Sequence, residues 1–403
     1  MNYSQQTITD FSPESWGWKR EFHAAWMALV DSNPGFRAFS PARVTGREHH
    51  RYEIVRPDFR SLAGYDFLSG ESAQCGFSIG VPVSGRFEYG TTGPADYPVT
   101  GDWVLVEAEG ESLRIQSVLA RRSALSRGSA GPISDEQVLA ANVDVIFLVF
   151  ALDGGRNFLL RFLERALIVA KNSGAACCIV LNKADLATAE ERDQAIFDAR
   201  RAAPHLPVVA LSAKTGEGVG DLSAIISPGE TGCVLGKSGV GKSALVNALA
   251  RRADSTGAVD LDGAVDLARE GAVRGDDLRG RHTTTSSHLY RLDSGLLMID
   301  SPGIRELKIW GDADVLEGGF PEITELALSC RFSDCAHVEE PGCAVREALV
   351  SGALDSARYQ AYLDLSKEQA WLDRRNDDRA RRADDHKWKQ ISKAQKELKK
   401  NGR

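Results

Sequence analysis

The segment TGCVLGKSGVGKSALVNALA, residues 231–250, decides the fold of this 403-residue chain. An apolar run, Thr231 to Leu235, leads into a glycine-rich turn, and a segment with helical character follows. Residues 236–243 match G-x-x-x-x-G-K-[ST], and the strand before the turn and the helix after it are the context that this phosphate-binding loop requires. The segment therefore predicts a P-loop, in which backbone N–H groups and a helix N-terminus surround phosphate oxygens.

Two residues of this loop have individual roles. We expect Lys242 to reach the β- and γ-phosphates and Ser243 to ligate Mg²⁺. Both are candidate catalytic residues, because phosphoryl transfer is accelerated mainly by positioning and charge stabilisation. The predicted phosphate-binding residues are Gly236, Lys237, Ser238, Gly239, Val240, Gly241, Lys242, Ser243 and Ala244.

Apolar runs alternate with helical segments from about residue 140 onward. Such alternation predicts an open, mainly parallel sheet that is covered by helices. The predicted strands are Asp144 to Leu152, Ala175 to Leu181, Pro207 to Leu211, Thr231 to Leu235 and Leu296 to Ile299, and the predicted helices are Phe158 to Lys171, Thr188 to Ala203 and Ser243 to Arg252.

Two further motifs indicate that the base is guanine. Asn182-Lys183-Ala184-Asp185 follows an apolar run and matches N-K-x-D. An aspartate here accepts the N1–H and 2-amino donors of guanine, whereas adenine lacks both and would leave a buried carboxylate unpaired. After the next run, Ser212, Ala213 and Lys214 match the companion S-A-K motif, whose backbone approaches guanine O6. These residues predict GTP and GDP as ligands.

The γ-phosphate side of the site is indicated by D-x-x-G at residues 300–303. Asp300 is expected to hold Mg²⁺ through water, and the Gly303 N–H to sense the γ-phosphate. Between the P-loop and this motif lies GRHTTT, in which a threonine would complete the Mg²⁺ shell. We favour Thr284 for that catalytic role, with Thr283 and Thr285 as alternatives.

The order of these motifs differs from that of ordinary small GTPases, which begin with the P-loop. Here N-K-x-D and S-A-K come first, and the P-loop, the threonine and D-x-x-G follow. A sheet can keep the same spatial strand order when the chain is opened at another point, so the order predicts a circularly permuted GTPase domain. The permutation couples whatever follows Gly303 directly to the nucleotide state.

A second site is predicted near the C-terminus by the pattern C-x4-C-x-H-x5-C. Its candidate ligands are Cys330, Cys335, His337 and Cys343, a Cys3His set suited to tetrahedral Zn²⁺. Four protein ligands leave no open coordination position, so the predicted role is structural. The alternative is a group of buried thiols beside a solvated histidine.

The N-terminal third has a different character. Four aromatic residues, Trp16, Trp18, Phe22 and Trp26, indicate one apolar helical face, which is expected to pack on its own protein in preference to a partner. Short apolar segments between turn residues then predict a small β-barrel or sandwich. The expected strands of that barrel include Gly76 to Pro82, Gly85 to Tyr89 and Asp102 to Glu107.

Composition limits the possible partners. The formal net charge is −7, so any nucleic-acid surface must be local. Candidate phosphate contacts are Arg121, Arg122, Arg127 and the basic C-terminal tail. The longest strongly apolar run, Val145 to Leu152, is far shorter than the roughly 20 residues of a membrane span. With no secretory pattern and no disulfide framework, we expect a cytoplasmic protein without membrane contact, and the absence of coiled-coil heptads favours a monomer.

Seven motifs occur along the chain in this order: TGDWV, NKAD, SAK, GKSGVGKS, GRHTTT, DSPGIRE and the Cys/His pattern. The same order is found in the bacterial ribosome small-subunit-dependent GTPase A family, which the chain resembles over roughly residues 40–365. The resemblance implies a multidomain fold: an N-terminal OB-fold β-barrel, a central circularly permuted P-loop α/β GTPase domain and a C-terminal zinc-binding, mainly helical domain. The expected boundaries are 1–38 for an aromatic helical extension, 39–125 for the RNA-binding barrel, 126–308 for the GTPase domain, 309–365 for the zinc-binding domain and 366–403 for a charged helical tail.

The resemblance also implies a function. It implies binding to the 30S subunit and its 16S rRNA, with no role for DNA, and GTP hydrolysis stimulated by that subunit late in its maturation, as an assembly checkpoint or release factor. One alternative is a nucleotide-gated RNA-binding module whose hydrolysis is incidental. The other is a permuted GTPase of another ribosome-assembly step.

The group that positions the attacking water is left open by the sequence. Many GTPases have a glutamine directly after D-x-x-G, but this chain has Ile304, which cannot orient water. His282, beside the expected Mg²⁺ threonine, is the candidate catalytic residue. The alternatives are that His282 faces RNA or has a structural role, and that the ribosome supplies the group.

Overall fold

The computed structural model describes residues 10–48, 50–61, 75–110, 112–128, 136–154, 160–251, 287–300, 319–356, 358–367 and 370. These residues form two compact units: the first contains residues 10–127 and 136–300, and the second contains residues from 319 onward together with Gly128. Four predictions, on His282, Thr284, Gly303 and the C-terminal tail, fall outside the described residues.

The first unit begins with an aromatic segment and a small barrel. Helix α1 (Arg20–Ser32) precedes strands β1 (Ser40–Glu48), β2 (Arg51–Arg56) and β3 (Gly76–Pro82), helix α2 (Gly85–Gly90), and strands β4 (Trp103–Glu109) and β5 (Ser112–Val118). Antiparallel pairs join β1 to β2 and β4, β2 to β3, and β4 to β5. A parallel bridge between Val83 and Ile115 closes the cyclic order β1-β2-β3-β5-β4 around an apolar interior.

One predicted strand of the barrel is a helix. The segment Gly85 to Tyr89 alternates like a strand, but the Ser84 hydroxyl accepts a hydrogen bond from the backbone N–H of Phe87 and caps helix α2. Serine at an N-cap satisfies a donor that the first helical turn would otherwise leave unpaired. Local capping therefore overrides the alternating pattern at this point.

The rest of the first unit is an α/β domain. It begins with a two-stranded sheet of β6 (Ala124–Gly128) and β7 (Glu136–Ala141). The elements that follow are, in chain order, β8 (Val145–Ala151), α3 (Leu160–Asn172), β9 (Ala176–Asn182), α4 (Ala189–Ala202), β10 (Val208–Ala210), β11 (Thr231–Leu235), α5 (Lys242–Ala250), β12 (His288–Arg291) and β13 (Leu297–Asp300). The five predicted strands and three predicted helices are present, with ends shifted by at most two residues. Strand β12 was not predicted.

One continuous sheet runs through this unit. Its order β10-β9-β8-β11-β13-β12-β1-β2-β3, with β4 and β5 attached beside β1, contains eleven strands. Strands β10, β9, β8, β11 and β13 are parallel, so their carboxyl ends lie at one edge. Strand β8 is buried along its whole length, as is typical of a parallel strand with helices on both faces.

A buried arginine joins the parts of the first unit at the opposite edge. Arg43 of β1 donates hydrogen bonds to the backbone oxygens of Trp16 and Asn142 and, at 2.8 Å, to the Thr231 hydroxyl, and it stacks over the ring of Trp103. The N-terminal aromatic residues pack into the same core, as expected. Only two of the four, Phe22 and Trp26, lie on α1, because Trp16 and Trp18 precede it.

The second unit is small and mainly helical. It contains α6 (Pro321–Ala327), α7 (Ala344–Ser351) and a helix α8 over residues 358–367. Arg358 of α8 donates to Glu322 at 2.6 Å and lies over the ring of the buried Phe320. Among the parts of the chain that the structure describes, no helix is long and apolar enough to cross a membrane.

Candidate nucleotide site and metal centre

The loop between β11 and α5 needs its glycines. Gly239 and Gly241 have φ angles of 83° and 93°, in the left-handed region that other residues rarely adopt. A Cβ on Gly241 would lie 2.4 Å from Asn182 Nδ2, and one on Gly236 would lie 2.4 Å from the Val149 oxygen. The loop is thus wrapped tightly between strand β8 and the N-K-x-D segment.

Lys242 lies folded back across this loop. Its Nζ donates to the carbonyl oxygens of Gly236 and Lys237, at 3.2 and 3.1 Å. Burial lowers the pKa of Lys242, and the nearby negative charge of Asp300 opposes that effect. A buried ammonium that donates to neutral carbonyl oxygens is suited to an anion, which a bound phosphate would supply.

Ser243 and Asp300 meet at the same end of the sheet. The Ser243 hydroxyl donates to Asp300 Oδ2 at 2.7 Å. Asp300 is buried, and its other carboxylate oxygen, Oδ1, has no hydrogen-bond partner among the residues that the structure describes. Burial raises the pKa of this carboxyl, against the opposing hydrogen bond from Ser243 and the charge of Lys242. A hydroxyl and an orphaned carboxylate oxygen fit a Mg²⁺ site, in which Ser243 would be a direct ligand and Asp300 would hold the ion through water. The charge of Mg²⁺ would compensate that of Asp300.

Asn182 links three motifs through one side chain. Its Nδ2 donates to the Val240 oxygen of the P-loop at 2.9 Å, and its Oδ1 accepts from the backbone N–H of Ala213 at 3.0 Å. The next residue, Lys183, has a φ of 63°, an unusual conformation that tends to occur at functional sites. The base motif and the P-loop are therefore held in a fixed relation.

The candidate guanine-recognising carboxylate is oriented by the S-A-K motif. The Ser212 hydroxyl donates to Asp185 Oδ1 at 2.6 Å, while Ser212 itself is buried. Asp185 is exposed, so its carboxylate is accessible to a base. Lys214 is exposed as well.

Two contacts of this site were not predicted from the sequence. Lys183 Nζ forms an ion pair with Asp153 Oδ2 at 3.1 Å, just after strand β8. Lys237 Nζ lies 4.7 Å from the centre of the Phe162 ring on α3. Neither partner belongs to a recognisable motif, and only the position of Asp153 directly after a buried strand gave a hint.

The predicted nucleotide residues that the structure describes thus meet at one edge of the sheet. N-K-x-D follows β9, S-A-K follows β10, the P-loop follows β11, and Asp300 ends β13. Parallel strands bring their carboxyl ends together, which explains why motifs far apart in sequence become neighbours.

The four Cys/His residues also come together. Their ligand atoms all lie within 4.8 Å of one another, and His337 Nδ1 is 3.5 Å from the sulfurs of both Cys330 and Cys343. The sulfurs of Cys330 and Cys343 are 3.9 Å apart. Tetrahedral zinc with Zn–S bonds of about 2.3 Å separates two sulfurs by roughly 3.8 Å, so the spacing fits this metal.

The backbone around this cluster is held by neighbouring side chains. His337 has a φ of 60°, and the Tyr359 hydroxyl donates to its carbonyl oxygen at 2.5 Å. The Glu340 carboxylate accepts from the N–H groups of Ala336, Val338 and Glu339. The loop that carries Cys335 and His337 is therefore organised by hydrogen bonds in addition to any metal.

Arg121 differs from the expectation that it contacts phosphate. Its guanidinium donates to both oxygens of the buried Asp102, at 2.9 and 2.8 Å, and to the carbonyl oxygens of Ala95 and Tyr97. A buried carboxylate requires such a partner, so Arg121 is engaged within the barrel. Arg122 pairs with Asp144 at 3.0 Å, and Arg127 donates to Gln137.

Comparisons of sequence identify relatives of this chain. Residues 118–310 match a family model described as RsgA GTPase. A protein of Opitutus terrae, named Small ribosomal subunit biogenesis GTPase RsgA, is 40% identical over 394 residues, which cover 95% of this chain and 96% of that protein. A protein of the same name from Xanthomonas euvesicatoria is 38% identical over 86% of this chain and 85% of its own length.

Comparisons of structure agree with the fold. The crystal structure of YjeQ from Thermotoga maritima aligns with a TM-score of 0.56 and 24% identity, covering 82% of this chain and 99% of that one. The structure of YloQ, described as a circularly permuted GTPase, aligns with a TM-score of 0.54 and 22% identity, covering 82% and 95%. The fold of this chain is similar to both.

Proposed function

The chain belongs to the RsgA GTPase family and is a GTP hydrolase, and from this premise we propose that it acts in the biogenesis of the small ribosomal subunit. The observation that carries the proposal is the meeting of N-K-x-D, S-A-K, the P-loop and Asp300 at one sheet edge, on a chain that matches a named small-subunit biogenesis GTPase along almost its whole length. The protein binds the immature 30S subunit late in maturation and leaves after GTP hydrolysis, as a checkpoint or release factor.

Each part of the site has a proposed task. Asp185 accepts the two donors of guanine, and Lys242 leaves its carbonyl partners for the β- and γ-phosphates. Ser243 and Asp300 hold Mg²⁺, which when bound neutralises charge that develops on the phosphates. Thr284 as a further Mg²⁺ ligand, His282 as the group that positions water, and Gly303 as the γ-phosphate sensor remain predictions from the sequence.

The proposed domains follow from the same comparison. A five-stranded barrel with the cyclic order β1-β2-β3-β5-β4 has the strand order of an OB fold, and we assign it to RNA binding. We assign the Cys3His cluster to one structural Zn²⁺ that holds the mainly helical C-terminal domain.

The proposed partners are the 30S subunit and its 16S rRNA, bound by a monomer in the cytoplasm, where ribosomal subunits are assembled. DNA and membranes have no place in this function. The name of the relatives supports the small ribosomal subunit as the partner, and the barrel supports contact with RNA.

Sedimentation with purified subunits tests this proposal. The full chain is mixed with 30S or 50S subunits, each with a non-hydrolysable GTP analogue, with GDP, or without nucleotide. We expect co-sedimentation with 30S alone, strongest with the analogue, and a marked decrease for Lys242→Ala. Preferential binding to 50S subunits, or equal co-sedimentation with the analogue, with GDP and without nucleotide, would contradict the proposed role.

A further inference from the structure

Strand β12 connects the barrel to the nucleotide site. In its antiparallel pair with β13, His288 lies opposite Asp300, and in its antiparallel pair with β1, His288 lies opposite Gly46. The first strand of the barrel is therefore only one strand away from the strand that ends in the candidate Mg²⁺ carboxylate.

Thr100 fixes the beginning of this strand. Its side chain is buried, and its hydroxyl donates to the backbone oxygen of Ser287, the residue directly before β12, at 2.9 Å. This contact joins the turn that enters barrel strand β4 to the start of a strand of the GTPase sheet.

The turn that carries Thr100 has little freedom to move. Gly101 has a φ of 94°, and a Cβ there would lie 2.1 Å from the Ala141 oxygen. The Thr100 carbonyl accepts from the Ala141 N–H at 3.0 Å, and Asp102, which follows Gly101, accepts hydrogen bonds from Arg121. The hydroxyl is thus presented to Ser287 from a rigid support.

His288 fills the space between the barrel and β13. Its Nδ1 lies 3.8 Å from Glu53 Oε2 of β2, and a Cβ on Gly46 would lie only 2.8 Å from that nitrogen. Directly opposite residues in an antiparallel pair place their side chains side by side on one face, so the imidazole neighbours the Asp300 carboxylate. A shift of β12 would therefore change the surroundings of the Asp300 carboxylate beside Ser243.

We propose that Thr100 is a positioning residue for the Mg²⁺–nucleotide site, which it serves by fixing β12 beside Asp300. The proposal rests on the proposed function of Asp300 as the Mg²⁺ carboxylate. Both β12 and β13 have four residues, so their pairing contains few hydrogen bonds. One further hydrogen bond at the end of β12 therefore contributes substantially to holding that strand in place.

The test compares nucleotide affinity with and without magnesium. Fluorescent mant-GDP is titrated into the full chain, in Mg²⁺ and in EDTA, for Thr100→Val and Thr100→Ser. We expect Thr100→Val to weaken binding about fivefold in Mg²⁺, the equivalent of one neutral hydrogen bond, and to leave the affinity in EDTA unchanged. Thr100→Ser keeps the hydroxyl and restores the Mg²⁺ affinity.

Two control variants complete the design. Thr91→Val removes a comparable hydroxyl-to-carbonyl bond, from Thr91 to the Glu88 oxygen at 2.8 Å in the same barrel, and should change neither affinity. Thr100→Ala also removes the hydroxyl and replaces Thr100→Val if that variant does not fold. Equal weakening in Mg²⁺ and EDTA, or no weakening in either, would overturn the proposal.

Asp300→Asn separates this inference from the function on which it rests. If Asp300 serves Mg²⁺, this variant loses the affinity that the wild-type chain gains from Mg²⁺. If Asp300→Asn keeps that gain, the assignment of Asp300 fails, and the role of Thr100 fails with it. If Asp300→Asn loses the gain while Thr100→Val keeps it, only the role of Thr100 fails.

Discussion

Single residues at the nucleotide site act through partners on other elements. The motifs alone identified Asn182, Asp185, Lys242 and Ser243 as candidates, because their chemistry is tied to a short pattern. The ion pair of Lys183 with Asp153 could not be predicted in this way, since its members come from separate segments that only the folded sheet brings together. Short sequence motifs therefore identify the residues that contact the ligand better than the residues that orient them.

Asp185→Asn is expected to change the base that the site accepts. An asparagine cannot accept both donors of guanine, whereas its NH₂ group can donate to the 2-carbonyl of xanthine. We expect GTP affinity to fall by about a hundredfold or more, while XTP binds better than GTP. Direct calorimetric titration with GTP and with XTP measures this, with Asp221→Asn in the 3₁₀ helix of residues 219–224 as a control that should retain GTP preference. A variant that still prefers GTP would show that Asp185 does not read the base.

Secondary-structure elements were predicted well where they are long. Strands β8, β9 and β11 lie in clear apolar runs, and their ends differ little from the prediction. Strand β12 was missed because its four residues, HLYR, are too few to form a pattern, and its existence depends on pairing with both β13 and β1. Helix α2 was mistaken for a strand because a cap outweighed the alternation.

The start of strand β8 is attached to the N-terminal segment through Asp144. Lys19 and Arg122 donate to its carboxylate, and so does the Thr231 backbone N–H, at 2.9 Å. Burial alone would raise the pKa of Asp144, but these hydrogen bonds outweigh it and hold the pKa below its ordinary value. The ionised carboxylate therefore stabilises the folded chain.

Asp144→Asn should lower stability in a pH-dependent way. Because the folded pKa lies below the unfolded value of about 3.9, the stabilisation is fully present above that value and is lost as pH falls through the folded pKa. We expect a loss of about 2 kcal/mol at pH 7 that diminishes in acid. Urea unfolding at several pH values measures it, with Asp31→Asn on exposed α1 surface as the control. An equal loss at every pH would mean that the charge of Asp144 is not what stabilises the fold.

At the scale of the whole molecule, the motif order predicted the permuted GTPase, but not the continuous eleven-stranded sheet. That sheet depends on the pairing of β1 with β12, whose residues lie at opposite ends of the first unit's sequence. No local pattern encodes such a pair. The consequence is that barrel and nucleotide site share one sheet.

Removal of zinc should destabilise the fold of the second unit and leave the nucleotide affinity of the first unit nearly unchanged. Metal binding to a Cys3His site is coupled to folding, and the motifs that contact nucleotide lie in the first unit. We expect one zinc per chain, lost in Cys335→Ser, with mant-GDP affinity in Mg²⁺ nearly unchanged. Cys75→Ser, at an exposed cysteine outside the cluster, should keep its zinc. A wild-type chain without zinc would contradict the assignment of the cluster.

The central claim is that this permuted site hydrolyses GTP in response to the small ribosomal subunit. Its most direct test is GTP turnover by the full chain alone, with 30S subunits and with 50S subunits, with Lys242→Ala as the control for contaminating GTPases. We predict slow turnover alone, strong stimulation by 30S only, and no turnover with Lys242→Ala. Equal stimulation by both subunits, or none by 30S, would contradict the claim that the small subunit activates this site.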